Sequence, residues 1–217
     1  MKIGLIIACG EEIDAHLKYF EKLKTIQAGN MTFYKGKFAG HTVFLCKSGP
    51  CEINAGIYTQ AMISQFNPDI IINSGTCGSF EEKCKVCDTF IVDNATFWDI
   101  KKGFLGEITY SCDEKLKNFA LSLDKKLKIG KLVTGNSFVG TAALKNRLIK
   151  NFGANCCDME GVAVVYTCQK NNKPCLLIKC VSDSGNEEEF DKNFKKASAK
   201  VAKVAFNCIE NLSRRKI

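Results

Sequence analysis

The sequence predicts an α/β protein: a single-domain sandwich of a mixed, largely parallel twisted sheet flanked by helices. Three observations carry this expectation. Short apolar runs alternate with longer amphipathic stretches along the chain, the pattern of strands joined by crossover helices. Two alternating runs on either side of Ala39-Gly40 predict a hairpin, and with it some antiparallel pairing. A chain of 217 residues with 46% apolar content can bury a substantial core without disulfides or metal. No internal repeat, low-complexity tract or Pro/Gly/Ser-rich linker divides it, so residues 1–217 are expected to form one domain.

The elements follow in order. Lys2 to Ala8 is a buried strand bounded by Gly10, and Glu11 to Leu23 a helix. Met31 to Phe38 and His41 to Lys47 form the hairpin. Ile53 to Phe66 is a helix, and Pro68-Asp69 turns the chain into a strand at Ile70 to Asn73 that ends in Gly75-Thr76-Cys77-Gly78. Phe90 to Ala95 is a strand, Glu114 to Leu123 a helix, Lys131 to Thr134 a strand stopped at Gly135, and Ala142 to Phe152 a helix. Asn155 to Met159 is a strand, Gly161 to Gln169 a helix, and Cys175 to Val181 a strand opened by Pro174. From about Glu188, apolar residues at Phe190, Phe194, Ala197, Val201, Val204, Cys208 and Leu212 step by three and four, a strong helical signal.

Composition narrows the function classes. The apolar opening run breaks at Gly10-Glu11-Glu12, too soon for a signal peptide or a membrane span, and no membrane association is expected. The 13 cysteines lie mostly inside apolar runs, which reads as small buried hydrophobes in a reducing compartment, the cytoplasm. Cys84-x-x-Cys87 has no second pair, and His16 and His41 are distant in sequence, so no metal site and no cofactor are expected. The net charge of +8 comes from scattered lysines, the densest set (Lys192, Lys195, Lys196, Lys200, Lys203) on the polar face of the last helix. That is a solvated face, not a nucleic-acid surface.

In sheets of this kind ligands gather outside the carboxyl ends of the strands. Three acids stand there: Glu12 after the first strand, Glu160 after Cys157-Asp158-Met159, and Asp183 after Val181-Ser182. Singly, each reads as a helix cap or a solvated acid. Together over a glycine-lined floor they suit cleavage of a sugar–base bond, with one carboxylate to activate water, one to protonate the leaving base and one to grip vicinal hydroxyls.

The opening Met1-Lys2-Ile3-Gly4 through Glu11-Glu12, Ile72-Asn73-Ser74-Gly75-Thr76-Cys77-Gly78, Val133-Thr134-Gly135-Asn136-Ser137-Phe138, Asp158-Met159-Glu160-Gly161 and Val181-Ser182-Asp183 resemble, in kind and order, the 5'-methylthioadenosine/S-adenosylhomocysteine nucleosidases. The resemblance implies a nucleoside phosphorylase-like fold, a small-molecule nucleoside substrate, hydrolysis of its N-glycosidic bond, and a homodimer. Position by position, it implies that Glu12 activates the attacking water, that Thr76 helps place it, and that Asp183, beside Ser182, donates a proton toward purine N7. Glu160 would hold the ribose hydroxyls beside Met159, Phe138 would stack on the base, the Val139 backbone would read the adenine edge, and Phe190 would close over both. Lys179 stands where the family has an arginine near the water.

Other positions depart from the pattern. Cys9 and Gly10 replace Met and Glu, Ser48-Gly49-Pro50-Cys51-Glu52 replaces a Gly-Ile-Gly-Lys turn, and the stretch after Trp98 lacks the aromatic loop that reaches the neighbouring subunit's 5' substituent. A purine, above all adenine, nucleoside is therefore the expected substrate class. Two alternatives stay open: a purine nucleoside phosphorylase, against which the arginine count speaks (Arg147, Arg214 and Arg215), and a noncatalytic nucleoside-binding protein on the same fold.

Overall fold

The computed structural model describes residues 1–101 and 106–212; Arg214, Arg215 and residues 102–105 of the stretch after Trp98 lie outside the described residues. The elements run β1 (Lys2–Ile7), α1 (Gly10–Leu17), β2 (Lys24–Ala28), β3 (Met31–Phe38), β4 (His41–Lys47), α2 (Glu52–Phe66), β5 (Ile70–Ser79) and β6 (Thr89–Phe97). Then come β7 (Thr109–Ser111), α3 (Glu114–Leu123), β8 (Lys128–Thr134), α4 (Ala142–Phe152), β9 (Cys156–Asp158), α5 (Gly161–Lys170), β10 (Cys175–Asp183) and α6 (Glu187–Leu212).

All these strands join one mixed sheet. β1 pairs in parallel with β4 and β5, β5 with β10, β6 with β8, and β8 with β9. The β3–β4 hairpin, β2 on its outer edge, and the β6–β10, β5–β9 and β6–β7 pairs are antiparallel. β5 is the hinge of the arrangement: its first half lies between β1 and β10, and its last residues, Gly78 and Ser79, pair with β9. A register shift between Val181 and Asp183 lets β10 re-aim its final acid.

Side-chain alternation sends the two sheet faces to two cores. Ile6, Ile71 and Leu177 face the side covered by α2 and α5, whereas Ile3, Leu5, Ile72 and Ile178 face α1, α3 and α6. On α6 the buried set Ala197, Val201, Val204, Cys208 and Leu212 follows the predicted periodicity, and Lys192, Lys195, Lys196 and Lys203 are exposed.

The first helix and two short strands differ from the sequence reading. The first helix stops at Leu17 instead of Leu23. Tyr19, Phe20 and Leu23, which extended the apparent period, pack onto the α6 side from irregular chain; Tyr19 stacks on Phe206 at 4.0 Å between centroids. β2 and β7 carry no apolar alternation to announce them, because β2 is a mostly exposed edge strand and β7 has only three residues.

Phe206 is fully buried beneath Tyr19, Phe20 and Phe38, and His16 lies 6.0 Å from it between centroids. Phe206→Ala is expected to cost about 3–5 kcal/mol, the usual loss for emptying a buried aromatic site. Urea denaturation with an unchanged m value checks it, and a loss below about 1 kcal/mol would contradict the packing described.

Candidate active site

The residues that close β1, β4, β5, β8, β9 and β10 surround one cavity of about 270 Å³. Its wall contains Glu12, Asp158, Glu160 and Asp183, the aromatic residues Phe138, Phe190 and Phe194, and small residues from β5, Thr76 to Gly78. Of the residues singled out from the sequence, Glu12, Thr76, Phe138, Val139, Met159, Glu160, Ser182, Asp183 and Phe190 all line it. Lys179 lies just behind.

Glu12 sits in the first turn of α1, where a carboxylate is favoured by the free N–H groups of the helix start. Its Oε2 accepts from the Cys9 N–H at 3.0 Å, and its Oε1 accepts from the Thr76 N–H at 2.7 Å and the Thr76 hydroxyl at 3.1 Å. Thr76 thus holds the acid directly. The approach needs Gly75, since a Cβ there would lie 3.0 Å from Glu12 Oε1.

Asp183 ends β10. Its Oδ2 accepts from the Ser182 hydroxyl at 2.8 Å and its Oδ1 from the Gly185 N–H at 2.8 Å. Burial raises its pKa above the ordinary aspartate value, against the pull of those donors. Gly78 makes room here too, because a Cβ would come within 3.2 Å of Asp183 Oδ1.

Glu160 caps α5, and its Oε1 accepts from the Cys51 N–H at 3.1 Å. Burial and the nearby Asp158 push its carboxyl up to about 7, although Lys179 and the Cys51 N–H act in the other direction. Lys179 is 1% exposed and its Nζ lies 2.7 Å from Asp158 Oδ2. Burial works against its charge, but Asp158, Glu160 and Glu12 more than offset this and hold it as an ammonium.

The sequence reading gave Asp158 no role and Lys179 a place near the water. The two are partners, and Asp158 also accepts from the Thr134 hydroxyl at 2.6 Å and the Gly161 N–H at 2.8 Å. The signal available in the sequence was an acid inside one apolar strand and a lysine inside another, since buried charges are found paired. Cys9, Pro50 and Phe194 also line the cavity unannounced, and Cys9 is kept a thiol by burial and the neighbouring Glu12, with its pKa pushed up to about 12.

Phe190 bridges Phe138 (6.4 Å, 72° between rings) and Phe194 (4.6 Å, 32°), forming an aromatic wall opposite the carboxylates. Phe138 is 38% exposed, at the cavity's open side. Among the described residues no group of three or more His, Cys, Asp or Glu is arranged to hold a metal ion. The arrangement can supply a proton donor, a proton acceptor, a hydroxyl-binding carboxylate and an apolar surface for a flat ring.

The model of the phosphorylase superfamily matches residues 2–210. The chain is similar to the 5'-methylthioadenosine/S-adenosylhomocysteine nucleosidase of Staphylococcus haemolyticus, 31% identical over 97% of this chain and 98% of the relative. It is also similar to the aminodeoxyfutalosine nucleosidase of Campylobacter jejuni, 29% identical over 96% of each. Its fold matches the crystal structure of Helicobacter pylori 5'-methylthioadenosine/S-adenosylhomocysteine nucleosidase, complexed with a pyrrolidin-3-ol bearing aminopyrrolopyrimidinylmethyl and propynylthiomethyl groups. The TM-score is 0.93 at 25% identity, covering 98% of this chain and 99% of that one. Matched over almost its whole length by the family model, and by a nucleosidase at 31% identity, this chain belongs to the phosphorylase superfamily and, within it, to the nucleosidases.

Proposed function

We propose that the protein hydrolyses the N-glycosidic bond of an adenine nucleoside, releasing free base and a ribose derivative. One observation carries this reading: four carboxylates wall the cavity, and the one lysine buried beside them among the described residues is engaged by Asp158. Departure of the base builds positive charge on the ribosyl ring, which such a wall stabilises electrostatically. The same wall repels phosphate, and Arg147 is exposed on α4, away from the cavity, which disfavours a phosphorylase.

In this reading Glu12, held by three donors, takes the proton of the attacking water. Asp183 gives its proton to N7 of the base, a role that its raised pKa supports. Glu160 grips the ribose hydroxyls beside Met159, the base lies against Phe138 and Phe190 near the Val139 backbone, and Ser182 orients Asp183. Lys179 acts at one remove, by neutralising Asp158. Both 5'-methylthioadenosine and S-adenosylhomocysteine belong to the proposed substrate class, and the Campylobacter relative adds aminodeoxyfutalosine to the candidates. We further propose that residues 1–217 act as one catalytic unit in the cytoplasm, where 13 free thiols are stable. No described helix is long and apolar enough to cross a membrane.

A homodimer also belongs to the proposal. Ile53 and Ile57, one turn apart on α2, are 73% and 52% exposed, shortly after Pro50, which lines the cavity. Apolar side chains paired in this way are suited to a partner surface.

Three outcomes are expected. In phosphate-free buffer the protein should cleave one or more of these nucleosides to free base and a reducing sugar, and Asp183→Asn should lose at least about 10²-fold in rate. Strict dependence on phosphate, with ribose-1-phosphate as product, would make it a phosphorylase.

Light scattering should show a dimer that Ile57→Lys weakens. A fully active wild-type monomer would refute this.

The third outcome concerns Glu160, whose carboxyl titrates at about 7 in the folded protein against an ordinary 4.5. Between these values the folded state keeps a proton that the unfolded chain has released, so this contribution to stability is full below about 4.5 and is lost as pH rises through about 7. Glu160→Gln should therefore gain roughly 1–3 kcal/mol on the wild type between pH 4.5 and 8. Denaturation curves whose difference does not change with pH would contradict this.

A further inference from the structure

We propose that His16 and Ser74 form a positioning clamp that fixes the water-activating carboxylate of Glu12. The inference rests on the role proposed for Glu12 above and assigns residues that the reading has not used.

α1 has only eight residues, two turns, and a helix so short has little rigidity of its own. Its first turn carries Glu12, and a displacement of about 1 Å at a reacting group can cost about 10²-fold in rate. Something must fasten the helix. Glu12 reaches β5 through Thr76, and His16, four residues on, reaches the same strand through Ser74, two residues back. Four helical residues advance about 6 Å and two strand residues about 6.6 Å, so both rungs can be made at once with the helix running against the strand.

The second rung is entirely buried: His16 and Ser74 are both 0% exposed. His16 Nδ1 lies 2.7 Å from the Glu12 carbonyl oxygen, and Nε2 lies 2.9 Å from Ser74 Oγ. A carbonyl only accepts, so Nδ1 carries the hydrogen. Burial holds the ring neutral, with its pKa lowered to about 4, so Nε2 accepts from the Ser74 hydroxyl. The ring therefore touches the backbone of the residue whose side chain is to be placed, and ties it to the strand that binds that side chain. The surrounding layer, with Ile13, Ile72 and Phe206, is apolar, and space filling alone would be served by leucine.

The test is steady-state turnover of the cleaved nucleoside by His16→Leu, His16→Asn and Ser74→Ala, each in the wild-type and Glu12→Gln backgrounds. His16→Leu should lower kcat about tenfold or more with KM within about twofold, a loss short of the full penalty for a misplaced group. His16→Asn, whose amide can still donate to the Glu12 carbonyl, should recover most of that. Ser74→Ala should cost about fivefold, the equivalent of one neutral hydrogen bond.

In the Glu12→Gln background neither His16→Leu nor Ser74→Ala should lower the residual rate further, because groups acting through one carboxylate are not additive. Undiminished, multiplicative losses in that background would overturn the clamp, as would a raised KM at unchanged kcat. Should His16→Leu not fold, the Ser74→Ala cycle decides by the same criterion. A Glu12→Gln enzyme with near wild-type turnover would instead remove the role of Glu12, and the clamp with it; that outcome is read from the single variant alone.

Discussion

Four carboxylates sharing one water-poor cavity is the constraint on which the rest of this structure depends. Charges of one sign at close range in a low dielectric repel strongly, and each also loses hydration. The chain answers in three ways. Lys179 is buried with Asp158 and neutralises it; backbone N–H groups of Cys9, Thr76, Cys51 and Gly185 donate to Glu12, Glu160 and Asp183; and Glu160 and Asp183 shift toward the protonated form. An ammonium enclosed on this scale is costly unless paired, so Asp158 and Lys179 are best understood as one unit. The unit spans β9 and β10, and it fixes the relative position of the segments that carry Glu160 and Asp183.

The sheet makes that concentration of acids possible. Parallel pairing of β1, β5 and β10 brings their carboxyl ends to one edge, and the antiparallel pairing of β5 with β9 brings Asp158 to Glu160 alongside from another direction. β5 itself contributes no acid. Its contribution is absence of bulk at Gly75 and Gly78, where a methyl group would meet Glu12 and Asp183 respectively. The thiols Cys77 and Cys157 fill the remaining space as small apolar groups, with burial raising their pKa values well above the ordinary thiol value.

Charge is thus distributed in two unlike ways on one molecule. The excess of lysine that gives +8 overall includes the exposed lysines of α6, Lys192, Lys195, Lys196 and Lys203, whereas the cavity is acidic and, among the described residues, has only Lys179 as a neighbouring buried cation. Net charge governs solubility and long-range attraction, and the local field governs chemistry. A reading of function from the overall balance would have pointed toward polyanions; a reading from the cavity points toward a developing cation.

The sequence by itself determined the alternation of strands and helices, the β3–β4 hairpin, the amphipathic α6, and the placement of Glu12, Glu160 and Asp183 directly after strands. These are legible because periodicity, turn residues and strand ends are local properties, each set within a few residues. What only the tertiary structure decided is partnership. That Lys179 belongs to Asp158, that Thr76 holds Glu12, that Cys51 holds Glu160, and that His16 meets Ser74 depends on which strands lie side by side. The same reason explains the early end of α1: Tyr19, Phe20 and Leu23 mimic a helical face, but their burial comes from distant α6 and not from helical continuity. Hydrogen bonds and ion pairs act over a few ångströms in space, and residues 21 to 109 positions apart share that range only once the sheet has formed.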